Sequence, residues 1–163
     1  MVELKFDNCK NEYNLLELTD KSFVEKVYKD AAKRFKNTCC GCGYVCKENQ
    51  KLKLHVERFN EEKPKDSVIA FVLCDACFAI RHIEKAIENE QVVLANSVYS
   101  QRQLIAFQRE SNKRTMYLIN KKEIHMLKKT AKEYLEEIEN DKDAFNNKIK
   151  VIFGKNFNWD NCK

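Results

Sequence analysis

One proline and three glycines are the only strong backbone breakers in 163 residues: Pro64, Gly41, Gly43 and Gly154. With so few, helices and strands must be delimited by caps and by changes of hydrophobic period. No internal repeat and no low-complexity tract is present, although Lys and Asn are abundant. Long apolar runs are missing too. The longest, Val68 to Leu73, suits a strand and is far too short for a membrane span. The first residues, MVELKFDNCKNEY, lack both the apolar core of a signal peptide and the Arg-rich pattern of a transit peptide. They point to the cytoplasm. A concentrated basic stripe is also lacking. The net charge of +5 is spread along the chain, which permits an acidic partner without demanding nucleic acid.

Hydrophobic residues are not scarce. At 44% of the chain they suffice for a real core, in one domain or one compact domain with a helical extension. Eight cysteines in a reducing compartment are expected to be metal ligands plus spares, not a disulfide framework.

Hydrophobic patterning gives a mostly helical α+β chain. Residues 20–36 predict a helix, with Ser22 and Glu25 as a capping box and Phe23, Val27, Ala31 and Phe35 near one face. KLKLHVERF alternates Leu52, Leu54 and Val56 against Lys51, Lys53, His55 and Glu57, which is strand periodicity. After the charged loop NEEKPKD, SVIAFVLC forms a second strand ending at Cys74. DACFAIRHIEKAIENE predicts one helix that begins inside a cysteine pair, and QVVLAN a short strand. Three further helical segments follow: SQRQLIAFQRES with a Ser100/Gln103 capping box, residues 120–141, and DAFNNKIKVIF leading to Phe157 and Trp159. The expected organisation is a zinc-binding unit over residues 1–115 and a C-terminal helical extension over 116–163, packed on the same domain.

The chemistry concentrates in FKNTCCGCGYVCKE and FVLCDACF. Zinc takes four soft or borderline ligands in a tetrahedron, and each C-x-x-C turn supplies two thiolates on one side of the ion. Cys39/Cys42 and Cys74/Cys77 are two such turns. Gly43 fits the tight turn after Cys42, and Cys77 falls in the first turn of a helix, where the dipole favours a negative sulfur. Cys42 and Cys46 offer a C-x-x-x-C alternative, and Cys40 is adjacent to the preferred pair. With Cys39 chosen, Cys40 and Cys46 become spares, and Cys9 and Cys162 have no partner in sequence. A thioredoxin-like redox role lacks the expected βαβ surroundings.

A closed shell of four cysteines leaves no vertex for water or substrate, so the zinc is expected to be structural. Catalysis would need another centre. A C-x-x-C turn, a hairpin carrying histidine, and a C-x-x-C opening a helix is also the arrangement of many HNH nucleases. In that alternative His55 is the general base and His82 the nearest candidate metal ligand. The residue after Cys77, where such nucleases often place a histidine, is Phe78. The plainer alternatives are a strand-surface His55 and an ordinary helix-face His82.

The segment TCCGCGYV resembles the T-C-x-x-C-G-F opening of the DotN (IcmJ) family, components of the type IVB secretion coupling complex. FVLCDACFAI is similar to that family's second cysteine pair, and SVYSQRQLIAFQ to its following helix, a coverage of roughly residues 24–110. The resemblance implies an HNH-like zinc fold, Cys39, Cys42, Cys74 and Cys77 as ligands, and a non-enzymatic adaptor bound to the DotL coupling ATPase. It thereby implies a cytoplasmic protein held at the inner membrane through its partner. A third class, a nucleic-acid-binding zinc module, would use Lys33, Arg34, Lys36, Lys51 and Lys53 on phosphate. Lysines in the first half of 120–141 and acids in the second fit either a solvated face of i,i+4 pairs or a mixed-charge partner surface. Phe157 and Trp159 fit either a tail anchored on the core or a hot spot for that partner.

Overall fold

The computed structural model describes residues 21–58, 68–110, 124–126, 133 and 149–160. In chain order these give α1 (Lys21–Arg34), β1 (Lys53–Arg58), β2 (Val68–Leu73), α2 (Asp75–Arg81), α3 (Ile83–Glu88), β3 (Val92–Ser97), α4 (Gln101–Glu110), β4 (Ile124–Met126) and β5 (Ile149–Phe153). The chain is α+β. One sheet is the β1–β2 pair; in the other, β3 lies between β4 and β5, and all the pairings are antiparallel. No described helix is long and apolar enough to cross a membrane.

Scarcity of glycine shows in how the helices stop. At the end of α1, Asn37 N–H donates to Ala32 O at 2.9 Å and Lys36 N–H to Lys33 O at 3.1 Å. These are the paired bonds of a Schellman closure, with Lys36 at φ 50° in the position glycine usually takes. After α3 the same closure recurs. Gln91 N–H reaches Ala86 O and Glu90 N–H reaches Ile87 O, both at 2.9 Å. There Glu90 takes the left-handed position, at φ 52°. Between α2 and α3 the expected single helix is interrupted at His82, whose φ of −113° and ψ of 51° leave the helical region.

The hairpin sets Lys53 against Leu73, His55 against Phe71 and Val56 against Ala70. Residues of both faces are buried: His55 and Leu73 on one, Val56, Ala70 and Val72 on the other. Helix α1 packs on β2, and α2 on both strands. A strand covered on both sides need not alternate polar with apolar residues. His55 is therefore not a strand-surface histidine; it is 2% exposed.

The second sheet corrects two expectations. Residues 124–126 are a strand, not part of a helix from 120, and 149–153 are a strand, not a helical segment. Val92 faces Phe153 and Leu94 faces Val151 on one side of β3, and Ala95 faces Met126 on the other. Tertiary pairing overrides the helical pattern here, and Ile149, Val151 and Ile152 are β-branched residues suited to it. The sheet joins chain on both sides of the expected 115/116 boundary. Of residues 127–148 only Glu133 is described, and it is helical. The charge pattern of 120–141 otherwise lies outside the described residues, as do Cys9 and Cys162.

Helix α4 begins with the expected capping box. Ser100 N–H donates to Gln103 Oε1 at 2.9 Å, and Gln103 N–H to Ser100 Oγ at 3.3 Å. Its buried face carries two glutamines two helical turns apart. Gln101 exchanges hydrogen bonds with Val151 N–H (2.8 Å) and C=O (2.9 Å). Gln108 does the same with Phe153, at 3.0 Å for both. Two side-chain amides thus occupy backbone groups of β5 that a neighbouring strand would otherwise pair. The tail folds onto this region: Phe157 and Trp159 stand 4.3 and 5.2 Å, ring to ring, from Phe153. Of the two readings of these aromatics, anchoring on the core is the one seen. A continuous core runs from Cys39, Cys74 and Cys77 through Ile80 and Ile83 to Val92, Leu94, Val151 and Phe157.

Candidate metal centre

Cys39, Cys42, Cys74 and Cys77 converge from two places in the chain, their sulfur atoms all within 4.8 Å of one another. The first pair sits on a knuckle between α1 and β1. Thr38 and Val45 form an antiparallel bridge, and Cys39 N–H donates to Tyr44 O at 2.8 Å. Gly43 N–H then closes the turn on Cys39 O at 2.9 Å. Gly43 has φ +79°, and a Cβ there would meet nothing within 4 Å. The glycine is needed for its dihedral alone, as the sequence suggested.

The second pair is delivered by the β2–α2 junction. Cys74 is the N-cap of α2, and its carbonyl accepts from Phe78 N–H at 2.8 Å. Cys77 consequently stands in the first helical turn. Two bonds from backbone N–H groups fix the halves together: Cys40 N–H to Val72 O at 2.9 Å, and Cys74 N–H to the Cys39 side-chain Sγ at 3.2 Å. Cys40 is not one of the four converging sulfurs; it is buried, and burial pushes its thiol up. Cys46 is half-buried and donates its amide to Asn37 O.

The donor set fits a tetrahedral thiophilic ion. Zinc–sulfur bonds of about 2.3 Å imply sulfur separations of about 3.8 Å in a regular tetrahedron. Cys42 Sγ and Cys74 Sγ lie 3.7 Å apart. Three of the four residues are fully buried and Cys42 is half-buried, so the set could hold a metal with little solvent access. Sulfur–sulfur hydrogen bonds pull the thiols apart in acidity. Cys42 is lowered, first by Cys39, then by Cys74 and Cys77, with Arg109 adding to them. Cys77 is raised, chiefly by Cys39 and Cys42 and further by burial. Cys39 falls to about 7: the upward pull of Cys42, its largest influence, is outweighed by Cys74 and Cys77.

Sequence reasoning missed Arg109. From the last turn of α4 its Nη2 reaches Cys42 Sγ at 3.2 Å and Cys74 Sγ at 3.4 Å. Its guanidinium carbon lies 4.2 Å from the centre of the Tyr44 ring. Tyr44 in turn donates its hydroxyl to Gln50, whose amide donates to Asp160 O at 3.0 Å. Nothing in the local pattern of QRQLIAFQRES marks this arginine, because 67 residues separate it from Cys42.

The two histidines do meet, but neither belongs to the cysteine cluster. The His55 and His82 rings lie edge to face, 5.7 Å between centres. His55 also stacks on Phe71 at 6.4 Å, and His82 on Phe78 at 4.0 Å. His82, at the α2–α3 break, lines a cleft of about 280 Å³ with Lys53, Asp75, Phe78, Lys85 and Phe157. Lys53 pairs with Asp75 at 3.1 Å and lies 5.1 Å from the Phe78 ring centre. One of the lysines considered for phosphate binding, half-exposed at its side chain, is thereby paired with a carboxylate of the same chain. No family model matches the chain, and no curated protein or solved structure matches it either.

Proposed function

We propose that the protein is a non-enzymatic adaptor whose fold is braced by one structural zinc on Cys39, Cys42, Cys74 and Cys77. The observation that carries this is the closed set of four sulfurs within 4.8 Å. Four protein ligands leave no position for water or substrate, so the ion's work is to join the knuckle to the β2–α2 junction. The partner is a protein, in keeping with the DotN-like motifs: a segment of a coupling ATPase in a type IV secretion complex, met on its cytoplasmic side.

The primary test is metal content by emission spectrometry, with each cysteine changed in turn to serine. One zinc per chain is expected, lost together with folding in C39S, C42S, C74S and C77S and kept in C9S, C40S, C46S and C162S. Zinc retained by C39S but lost by C40S would move the site to the neighbouring thiol. Iron in place of zinc would keep the brace and change the ion, since four thiolates suit both. Co-purification with a coupling ATPase tests the partner.

A second reading, an HNH-type nuclease, is favoured by the approach of His55 to His82 beside the cleft. Against it stands the burial of His55 beneath Phe71. Magnesium- or manganese-dependent nicking of DNA that disappears in His55→Ala would establish the nuclease and remove the adaptor reading.

A further inference from the structure

We propose that Arg109 belongs to the metal centre: by donating to one sulfur from each half of the cluster, it retains the ion and couples α4 to it. The inference rests on the four-cysteine metal site proposed above.

A divalent ion with four thiolates carries a net charge of −2 in a buried setting, which is costly without a compensating cation or donors. Two donors are already in place. One is the Cys74 amide on Cys39 Sγ at 3.2 Å. The other is Arg109 Nη2, shared between Cys42 Sγ at 3.2 Å and Cys74 Sγ at 3.4 Å. Cys42 belongs to the knuckle and Cys74 to the β2–α2 junction, so one cation spans both halves.

The arginine is held from both sides. Tyr44, whose carbonyl closes the knuckle on Cys39, lays its ring under the guanidinium. The adjacent Gln108 fixes the same helical turn to Phe153 of β5. A planar, delocalised guanidinium both stacks on the ring and points N–H groups at sulfur; a lysine ammonium cannot do both. Arg109 is a positioning residue, acting through the thiolates and not as a ligand.

The test loads the full chain with cobalt(II), whose sulfur-to-metal charge-transfer band reports thiolate donation directly, and compares R109M and R109K with the unchanged protein. In R109M that band should shift to lower energy. The chelator concentration that removes half the metal should fall about 10- to 100-fold, the usual effect of losing an outer partner of a metal ligand. Alkylation of Cys42 by iodoacetamide should accelerate. R109K should lie between, keeping charge without the stacked fork, and it decides the matter if R109M does not fold. Identical bands and identical chelator titrations in variant and unchanged protein would overturn the role of Arg109 and leave the metal site standing. An unchanged protein that takes up neither cobalt nor zinc would overturn both.

Discussion

Gly43, Lys36 and Glu90 share one backbone region and differ in how well they suit it. All three have φ between 50° and 79°, and only Gly43 is glycine. An L side chain in that region costs about 1–2 kcal/mol. Gly43→Ala should therefore lose about that much stability, although space for the methyl group is open. The loss would be seen as a lower midpoint of thermal unfolding with unchanged metal stoichiometry. The opposite substitution should help at the end of α3. Glu90→Gly relieves the left-handed strain at a smaller cost in unfolded-chain entropy, for a net gain of about 0.5–1 kcal/mol in urea denaturation. A decrease would mean that the Glu90 side chain contributes more than its backbone costs.

At the scale of elements, β5 depends on α4. Strand β5 lies at the end of the β4–β3–β5 order, where its outer N–H and C=O groups would invite another chain. Gln101 and Gln108 occupy those of Val151 and Phe153. Gln108→Leu removes both partners of Phe153 in a buried place and should cost about 2–6 kcal/mol, at about 1–3 for each group left unsatisfied. Urea denaturation measures the loss, and light scattering on warming should show earlier aggregation than in the unchanged protein. This contact also explains what the sequence did and did not disclose. The α1 helix, the hairpin, β3 and α4 with its capping box follow from local periods and caps. The cysteine pairs follow from spacing, because each turn is closed within a few residues. Strand β5 was hidden because its reason to be extended lies in β3 and in two glutamines some fifty positions away. His55 was misplaced because alternation tells which side chains share a face, not whether both faces are covered. Arg109 carried no local signal at all.

For the molecule as a whole, a metal held by the four cysteines should govern more than the knuckle. The buried cluster that contains Cys39, Cys74 and Cys77 also contains Val92, Leu94, Val151, Phe153 and Phe157, so the cysteine site and the second sheet share one core. Structural zinc in small fingers binds with about 10–16 kcal/mol, comparable to the entire stability of a typical domain at about 5–15 kcal/mol. Removing it should therefore unfold the described fold in one step instead of loosening one loop. Trp159 is the single tryptophan and packs on Phe153 and Phe157, beside the second sheet and not in the cysteine cluster, which makes it a clean reporter. Titration with a strong chelator should change Trp159 fluorescence in step with metal release. Acid should act in the same direction, because protons compete with the ion for the four sulfurs and affinity falls as pH falls. If the metal leaves while Trp159 emission and the amide-exchange protection of Val151 stay constant, the brace is local and the two sheets are held by their apolar contacts alone.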